Sequence, residues 1–343
     1  MYTSTREMAE DTDQDWKLEF RNILLSDGVD SMQRAVEFKE AHAPEILYKF
    51  FPPSTYAFEA LQRVSLYLAP PADFNDPYDS AVAITGASDL FRALLEGPHV
   101  SDWREVGKGL FEQQDLLNMT EGHISEEAIE RFVAFDPATS PEEIKKLAAV
   151  IPLVLEKVMS QMFAPFQELS QRGNKVTCFS ERMTNAMWAH YSASHTGFCA
   201  EYRYADIPEP SMQRRLLLPV VYAAERFDLS PTFSRGLRGD LPNLTYGIAT
   251  VLHKSPDWAH EREWRMVNPD GRDDGGMTVP FVLPSRIIAG VRMTEENLEK
   301  LTGLCRAKDV ELVQASLSGS TYEMILKANA SAADRPIDAV GSP

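Results

Sequence analysis

The feature that most constrains the fold is a series of strand-like segments in the second half of the chain. After residue 173, short stretches that alternate apolar with polar residues, or that are rich in β-branched and aromatic residues, follow one another closely. They are KVTCFS (175–180), GFCAEYRY (197–204), LPVVYAA (218–224), EREWRMV (261–267), SRIIAGVRM (285–293), VELVQAS (310–316) and STYEMIL (320–326). Few helical segments separate them, whereas parallel neighbours need long crossover connections. The series therefore predicts an α+β fold with a largely antiparallel sheet.

The first half of the chain is predicted to be mostly helical around a small β-containing block. Residues 15–43 carry a helical pattern, and the strand VSLYL (64–68) lies in the block that follows. In SPEEIKK, Ser140 is a typical N-cap, Pro141 suits the first helical position and Glu143 completes a capping box. A long helix is therefore expected to begin there.

We therefore predict three parts. Residues 1–44 form a helical lead-in, and residues 45–327 form a single catalytic-type α+β domain that contains a helical insertion at 85–172. Residues 328–343 are predicted to be a disordered tail, because they are rich in small and polar residues.

The composition argues against several classes of protein. The chain has 51 acidic and 34 basic residues and a net charge of −17, whereas a nucleic-acid binder usually carries a basic field. No uninterrupted apolar run approaches the roughly 18 residues of a membrane span, and the acidic start is unlike a secretory signal. Three scattered cysteines do not suggest a disulfide framework. We expect a cytoplasmic protein with no membrane partner and no strong nucleic-acid signal; its oligomeric state is left open.

The stretch EREWR is the first candidate for a functional site. As a strand it would place Glu261, Glu263 and Arg265 on one face, with the two glutamates about 7 Å apart at the backbone. Two such carboxylates raise each other's pKa, and an arginine on the same face offsets this effect. The pattern fits an ion-pair network on a strand face, and it equally fits a pair of carboxylates that performs chemistry.

The aromatic stretch MWAHYSASHTGF is the second candidate. A short helix is predicted here, with Trp188 and Tyr191 three residues apart on one face and His190 on a neighbouring face. These side chains could form the wall of a pocket, where rings stack and an imidazole forms hydrogen bonds. They could equally form an aromatic patch of the core.

Other segments narrow the choice of chemistry. In FNDPYD, Asp76 and Asp79 belong to a sequence that is typical of a capped turn, with metal ligation as the alternative. Tyr48 and Lys49 begin the first strand of the early block, and a lysine beside a cleft would suit a phosphate group. The dinucleotide-binding GxGxxG, Walker, HExxH and GxSxG motifs are absent from the sequence.

Three segments together resemble the bacterial family catalogued as domain of unknown function 2971. They are LYKFFPP with SLYLAPPADFNDPYD, then CFSERMTNAMWAHYSASHTGFCAEY, then KSPDWAHEREWR. The resemblance spans about residues 47–325. Some members of the family are associated with phage defence by abortive infection, which implies a role in defence but no particular reaction.

A weaker resemblance connects the chain with ADP-ribosyltransferases. LYKF resembles the LYHF start of the DNA-modifying toxin branch, CFSE resembles the middle strand of that family through Ser180, and Glu261-x-Glu263 resembles its last motif. Lys49 replaces the histidine of that branch, and an ammonium group cannot accept a hydrogen bond as neutral imidazole can. The ribose contact would therefore be made differently.

The second resemblance implies an ADP-ribosyltransferase-like fold, NAD as a substrate and a macromolecular acceptor of unknown kind. Glu263 would be the catalytic carboxylate and Glu261 its partner. One of them would bind the ribose hydroxyl and stabilise the oxocarbenium-like state, and the other would orient or deprotonate the acceptor. The residues implied to line the NAD pocket are Tyr48, Lys49, Tyr67, Ser180, Trp188, His190, Tyr191 and Arg265.

Two further classes of function stay open. A metal-dependent nuclease would use Asp76, Asp79, Glu201 and the pair Glu261 and Glu263, because such sites place two or three carboxylates around Mg²⁺. A non-catalytic sensor would use the same aromatic pocket to bind a nucleotide or a protein without turnover.

Overall fold

The computed structural model describes residues 5–98, 111–240, 245–272 and 275–328. The helices of these residues are α1 (Thr5–Leu24), α2 (Ser31–Glu40), α3 (Thr55–Arg63), α4 (Ala87–Glu96), α5 (Gln113–Met119), α6 (Glu126–Phe135), α7 (Pro141–Arg172), α8 (Asn185–Tyr191), α9 (Met212–Arg215), α10 (Ser230–Leu237), α11 (Thr245–Ala249) and α12 (Glu295–Lys308). The strands are β1 (Ile46–Phe51), β2 (Ser65–Leu68), β3 (Val82–Ala83), β4 (Lys175–Ser180), β5 (Phe198–Arg203), β6 (Leu217–Pro219), β7 (Val221–Tyr222), β8 (Phe227–Asp228), β9 (His253–Lys254), β10 (Glu263–Asn268), β11 (Met277–Pro280), β12 (Arg286–Ala289), β13 (Glu311–Leu317) and β14 (Met324–Ala328).

The main sheet has eight strands in the order β14-β13-β12-β5-β1-β4-β10-β6. Its neighbours pair antiparallel, except that β12 and β13 are parallel and are connected through α12. That connection is the helical crossover that a parallel pair requires. The predicted α+β fold with a mostly antiparallel sheet is confirmed.

The main sheet is split between β1 and β4. These two strands share a single residue pair, Tyr48 opposite Ser180, whereas β1 pairs along its whole length with β5 and β4 pairs along its whole length with β10. Beyond that pair the neighbour of β4 is Ala69, which exchanges backbone hydrogen bonds of 2.8 and 2.9 Å with Val176. The sheet therefore consists of two halves that join at one point and leave an opening beside it.

Both faces of the sheet are covered by apolar packing. One face buries Leu47, Phe179, Phe198, Trp264 and Ile287 under α3 and α12. The other face buries a smaller cluster at α8, composed of Phe50, Met187, Trp188, Cys199, Ile288, Val313 and Ala315. Alternate residues of the same strands supply the two clusters, which is the period-two pattern that the sequence showed.

The N-terminal stretch 15–43 is largely helical, as its pattern predicts. It contains the second half of α1 and all of α2, and Gly28 with a φ of +119° lies in the turn between them. In α1, Phe20 and Leu24 are fully buried against the β4 and β10 half of the sheet. The tail that was predicted to be disordered, 328–343, lies outside the described residues except for Ala328.

The region between β3 and β4 is helical in its described part and contains α4 to α7; residues 99–110 of the predicted insertion lie outside the described residues. The capping box that was predicted for α7 is confirmed, because Ser140 Oγ accepts from the amide of Glu143 and Glu143 accepts from the amide of Ser140. By length and composition, α7 is the one described helix that could cross a membrane. The helix contains no uninterrupted apolar run of that length, because charged residues such as Glu156 and Lys157 interrupt it.

Candidate active site

A cavity of about 230 Å³ lies in the opening between β1 and β4. Seven of the residues selected from the sequence line it: Tyr48, Lys49, Tyr67, Ser180, Tyr191, Glu261 and Glu263. Phe74, Asn75, Asp79, Cys178 and Lys254 are also in its wall. Residues from four widely separated parts of the sequence therefore meet at one place.

Three of the lining residues lie at the same level on adjacent strands. Tyr48 on β1 is the partner of Ser180 on β4, and Ser180 is in turn the partner of Glu263 on β10. Residues that are directly opposite each other in a ladder project from the same face of the sheet. The register thus aligns the three motifs that the sequence analysis selected.

The prediction that EREWR is one continuous strand is wrong at its first two residues. Glu261 ends a short 3₁₀ helix, Pro256–Glu261, and β10 begins only at Glu263. Arg262 between them has a left-handed backbone with a φ of +44°. This conformation turns the chain sharply, and the period-two alternation that was assumed for Glu261 does not apply.

The turn brings both glutamates to one ammonium group. Lys254 Nζ donates to Glu261 Oε2 at 2.7 Å and to Glu263 Oε2 at 3.0 Å, and all three side chains are buried. The first half of the sequence contributes Asp79, which lies 3.7 Å from the same ammonium group. The carboxylates are therefore held together by a cation, which offsets their mutual repulsion.

Arg265 holds the same carboxylates from the protein side. Its fully buried guanidinium donates to both oxygens of Asp79 at 2.7 and 2.8 Å, and to both oxygens of Glu263 at 2.8 and 3.1 Å. It also donates to the carbonyl of Val251 at 2.7 Å. The expectation that Arg265 lines the cavity is corrected, because the guanidinium is directed to these partners and is absent from the cavity wall. From this position Arg265 orients the carboxylate of Glu263.

The charges of this network shift the pKa values of its own side chains. Burial alone would raise the pKa of Glu263, but the charges of Arg265 and Lys254 outweigh burial and hold it well below the ordinary value. Burial alone would lower the pKa of Lys254, but Glu263 and Glu261 hold it above the ordinary value. Both groups are therefore charged at neutral pH. Burial lowers the pKa of Lys49, whose Nζ donates to the carbonyl of Cys178 at 3.2 Å.

Glu261 is oriented from the cavity side by a tyrosine. The hydroxyl of Tyr191 donates to Glu261 Oε1 at 2.6 Å. Burial first, and the charge of Glu261 second, raise the pKa of Tyr191 well above its ordinary value. Tyr191 is therefore a neutral hydrogen-bond donor at physiological pH, and each oxygen of Glu261 has one partner.

The hydroxyl of Ser180 forms hydrogen bonds with the backbone of the turn at Glu261 and with the residues after β4. This hydroxyl lies 2.5 Å from the backbone carbonyl of Glu261 and 3.0 Å from the amide of Arg182, which donates to it. These contacts fix the turn that carries Glu261 next to the end of β4. The side chain lines the cavity, but its oxygen is already engaged with the backbone.

Trp188 and His190 lie elsewhere, which corrects the expectation that they line the cavity. Trp188 is fully buried in the cluster at α8 and makes an edge contact with Phe50 at 5.3 Å. His190 is exposed, and its ring is 6.2 Å from that of Trp258. Trp188 lies one helical turn before Tyr191, and His190 is the sequence neighbour of Tyr191, but of the three only Tyr191 lines the cavity. The aromatic stretch therefore serves the core at Trp188 and the cavity at Tyr191.

The acids that the nuclease alternative requires are divided between two settings. Asp79 shares Lys254 and Arg265 with Glu263, whereas Asp76 and Glu201 have partners elsewhere. Asp76 accepts from the indole of Trp258 at 2.8 Å, Asp79 is paired with Arg265, and Glu201 accepts from Arg286 at 2.5 Å. Within the described ranges, no group of three or more His, Cys, Asp or Glu residues is arranged to hold a metal ion.

Lys254 is the central residue that the sequence analysis did not select. A lysine in a polar segment is exposed by default, and no local pattern distinguishes this one. Lys254 is the first residue of KSPDWAHEREWR, one of the segments that resemble the family. That resemblance was the signal in the sequence that could have identified it. The backbone amide of Glu263 also donates to the hydroxyl of Tyr222 at 2.8 Å, a contact from β7 that no spacing predicts.

A second cavity of about 580 Å³ adjoins the first and shares Asn75 and Lys254 with it. Its wall includes Arg226, Trp258 and the buried His253. His253 Nδ1 lies 2.9 Å from the carbonyl of Ala249, so this nitrogen carries the proton; among the described residues Nε2 has no hydrogen-bond partner. Burial lowers the pKa of His253 to about 4, which keeps the ring neutral.

Comparison with known proteins adds a partial family match but no activity. The family model described as "Protein of unknown function (DUF2971)" matches residues 187–266, which confirms the first resemblance over that segment. The match includes Tyr191, Lys254, Glu261, Glu263 and Arg265, and it begins after β1, β2 and β4, the strands that carry the other lining residues. No curated protein and no solved structure matches the chain significantly.

Proposed function

We propose that this protein is an NAD-consuming, ADP-ribosyltransferase-like enzyme. The observation that carries the proposal is the alignment of Tyr48, Ser180 and Glu263 on three adjacent strands around one cavity. The three strands are those that bear the motifs by which the sequence resembles such enzymes. A cytoplasmic role in phage defence is part of the same proposal.

The size of the cavity suits part of a dinucleotide. About 230 Å³ is less than the roughly 300–1,000 Å³ of pockets that enclose drug-sized ligands. The cavity would hold one ring with its sugar, and Tyr48, Tyr67 and Tyr191 offer aromatic surfaces for the ring. The adjoining cavity would take the remainder, with Arg226 at its wall as a partner for phosphate.

The proposed reaction breaks the bond between the nicotinamide nitrogen and C1′ of the ribose. The leaving nicotinamide takes the electron pair of that bond and becomes neutral, and the sugar acquires oxocarbenium character. A nucleophilic atom of the acceptor then bonds to C1′ and loses its proton. Glu263, which is charged at neutral pH, stabilises the developing positive charge. Glu261, oriented by Tyr191, accepts a hydrogen bond from a ribose hydroxyl or takes up the proton that the acceptor loses.

One observation favours a second candidate, a nucleotide-binding module without turnover. Both oxygens of Glu263 are already engaged, Oε1 with Arg265 and Oε2 with Arg265 and Lys254. A carboxylate that is neutralised by two cations exerts a weaker field on a ligand. In this alternative the network stabilises the pocket, and the ligand is bound but not cleaved.

The deciding experiment measures nicotinamide release and label transfer from adenosine-labelled NAD in a bacterial lysate. We expect turnover by the wild type and a loss of about 100-fold or more in Glu263→Gln. The matched control is Glu201→Gln, because Glu201 is a buried, arginine-paired carboxylate of the same sheet outside the cavity. Since Glu263→Gln also disturbs the ion network, Tyr191→Phe is the milder second variant, and its folding is checked by thermal unfolding.

The possible outcomes separate the two candidates. Turnover that falls in Glu263→Gln and Tyr191→Phe but persists in Glu201→Gln supports the enzyme. Binding of NAD in calorimetry without any nicotinamide release supports the binding module. Absence of both binding and turnover in the wild type would refute the NAD proposal.

A further inference from the structure

The long helix α7 presents a row of large apolar side chains to solvent. They are each 43–66% exposed and comprise Leu147, Val150, Leu153, Val154, Val158, Met162, Phe166 and Leu169. Intervals of three and four residues keep most of them on one side of the helix. We call this row the α7 face. Within the described residues the row is open to solvent, except that the ring of Phe166 lies 4.7 Å from that of Phe233 on α10.

The spacing of the α7 face is symmetric about Val158. Val154 and Met162 are each four residues from Val158, Val150 and Phe166 are each eight, and Leu147 and Leu169 are each eleven. Only Leu153 has no counterpart in the row, because the corresponding Phe163 is buried. A binding surface for a membrane or for an unrelated protein has no need of this symmetry.

We propose that the α7 face is the interface of a homodimer in which the two α7 helices pack antiparallel about a two-fold axis at Val158. In such an isologous interface, a residue i that contacts j is matched by j contacting i. Antiparallel packing about Val158 places Leu147 against Leu169 of the second copy and Val154 against its Met162. Val158 meets its own copy on the axis.

The exposed area is of the size that a stable dimer needs. A large side chain that is half exposed presents on the order of 100 Å². Eight of them present roughly 800 Å², which is about what each partner buries in an interface of standard size. An exposed apolar patch on an ordinary monomer is usually smaller, about 300–600 Å².

The charges on α7 favour a second copy over a lipid bilayer. Lys146 and Glu168 lie at opposite ends of the helix, so antiparallel packing brings each near its opposite charge in the second copy. In a membrane, Glu156 and Lys157 would lie near the middle of the span, where charges are costly.

The first test is sedimentation of the full chain over a series of concentrations. We expect the wild type to be a dimer at micromolar concentration and Val158→Glu to weaken the dimer about 100-fold or more, because two carboxylates would meet on the axis. The matched control is Leu317→Glu, a substitution at an apolar residue on β13 that is 67% exposed and distant from α7 in sequence. The control is expected to remain a dimer.

The second test does not depend on weakening the interface. Two variants that each carry one added cysteine, Leu147→Cys and Leu169→Cys, are mixed and oxidised, and the wild type reports any cross-linking through the three native cysteines. The proposal requires more cross-linked product in the mixture than in either variant alone, since 147 meets 169. A wild type that stays monomeric to about 100 µM overturns the proposal, and so does a dimer that Val158→Glu leaves intact. Binding of the monomer to lipid vesicles through the α7 face would also overturn it.

Discussion

Removal of the buried guanidinium of Arg265 is the perturbation that most directly tests how the site is held. Arg265→Met keeps an unbranched side chain of similar length and removes the positive charge. Asp79 then loses its two contacts with the guanidinium, at 2.7 and 2.8 Å, and keeps the one from Ser80 Oγ, while Glu263 loses contacts at 2.8 and 3.1 Å. Both carboxylates are almost fully buried, so water cannot replace the lost partner without structural change.

The expected cost follows from burial and from the partner that remains. Removal of one member of a buried ion pair typically costs about 3–5 kcal/mol. Two carboxylates are affected here, but Lys254 stays within 3.0 Å of Glu263 and 3.7 Å of Asp79. We therefore expect a loss of about 3–5 kcal/mol rather than twice that amount. This is a large part of the roughly 5–15 kcal/mol that stabilises a typical domain.

The assay is urea unfolding followed by tryptophan fluorescence at several pH values. The charge of Arg265 lowers the pKa of Glu263 in the wild type, so without it this pKa rises and the folded variant binds protons more readily than the wild type does. The difference in unfolding free energy is therefore expected to shrink as the pH falls from about 8 to about 5. Arg286→Met is the control, because the guanidinium of Arg286 is 29% exposed and forms an ion pair with a single acid, Glu201. A loss below about 1 kcal/mol, or a loss that does not change with pH, would refute the reasoning.

Two further predictions concern stability elsewhere in the chain. The pKa of the buried His253 is about 4 in the folded state and about 6.5 when unfolded, so up to about 3 kcal/mol of stability is lost as the pH falls from 6.5 to 4. Urea unfolding at pH 7 and pH 4 should show this loss in the wild type and a smaller one in His253→Gln. The exposed Asp309 ends α12 with a φ of +56°, so Asp309→Gly should raise the unfolding free energy by about 1 kcal/mol in the same assay, and a decrease would contradict the prediction.

Local patterns were sufficient for much of the fold. The alternation in GFCAEYRY corresponds to β5, and the capping signal at Ser140 marks the start of α7, because both depend on short-range geometry. The split between β1 and β4 could not be foreseen. It depends on Ala69 occupying the place beside Val176, and no short-range rule specifies that long-range pairing.

The candidate site was predictable in some of its members but not in its geometry. The spacing of Glu261 and Glu263 identified the two carboxylates, yet the left-handed turn at Arg262 has no signal in the sequence, since arginine rarely adopts a positive φ. Similarly, the aromatic content of α8 could not separate Tyr191, which faces the cavity, from Trp188, which faces the core. Helical spacing assigns neighbours to a face but does not say what covers that face.

The turn at Arg262 determines what kind of ligand the cavity can accept. In a continuous strand the two glutamates would lie about 7 Å apart and each would be free to bind. In the structure both glutamates accept hydrogen bonds from Lys254 Nζ. A ligand can therefore bind to these carboxylates only if it competes with the ammonium group of Lys254. A group that carries a positive charge, or that supplies several hydroxyl donors, meets this condition, and the cationic nicotinamide ring with its ribose does both. In the proposed reaction the leaving nicotinamide is neutral, so Lys254 would regain both carboxylates once the glycosidic bond is broken.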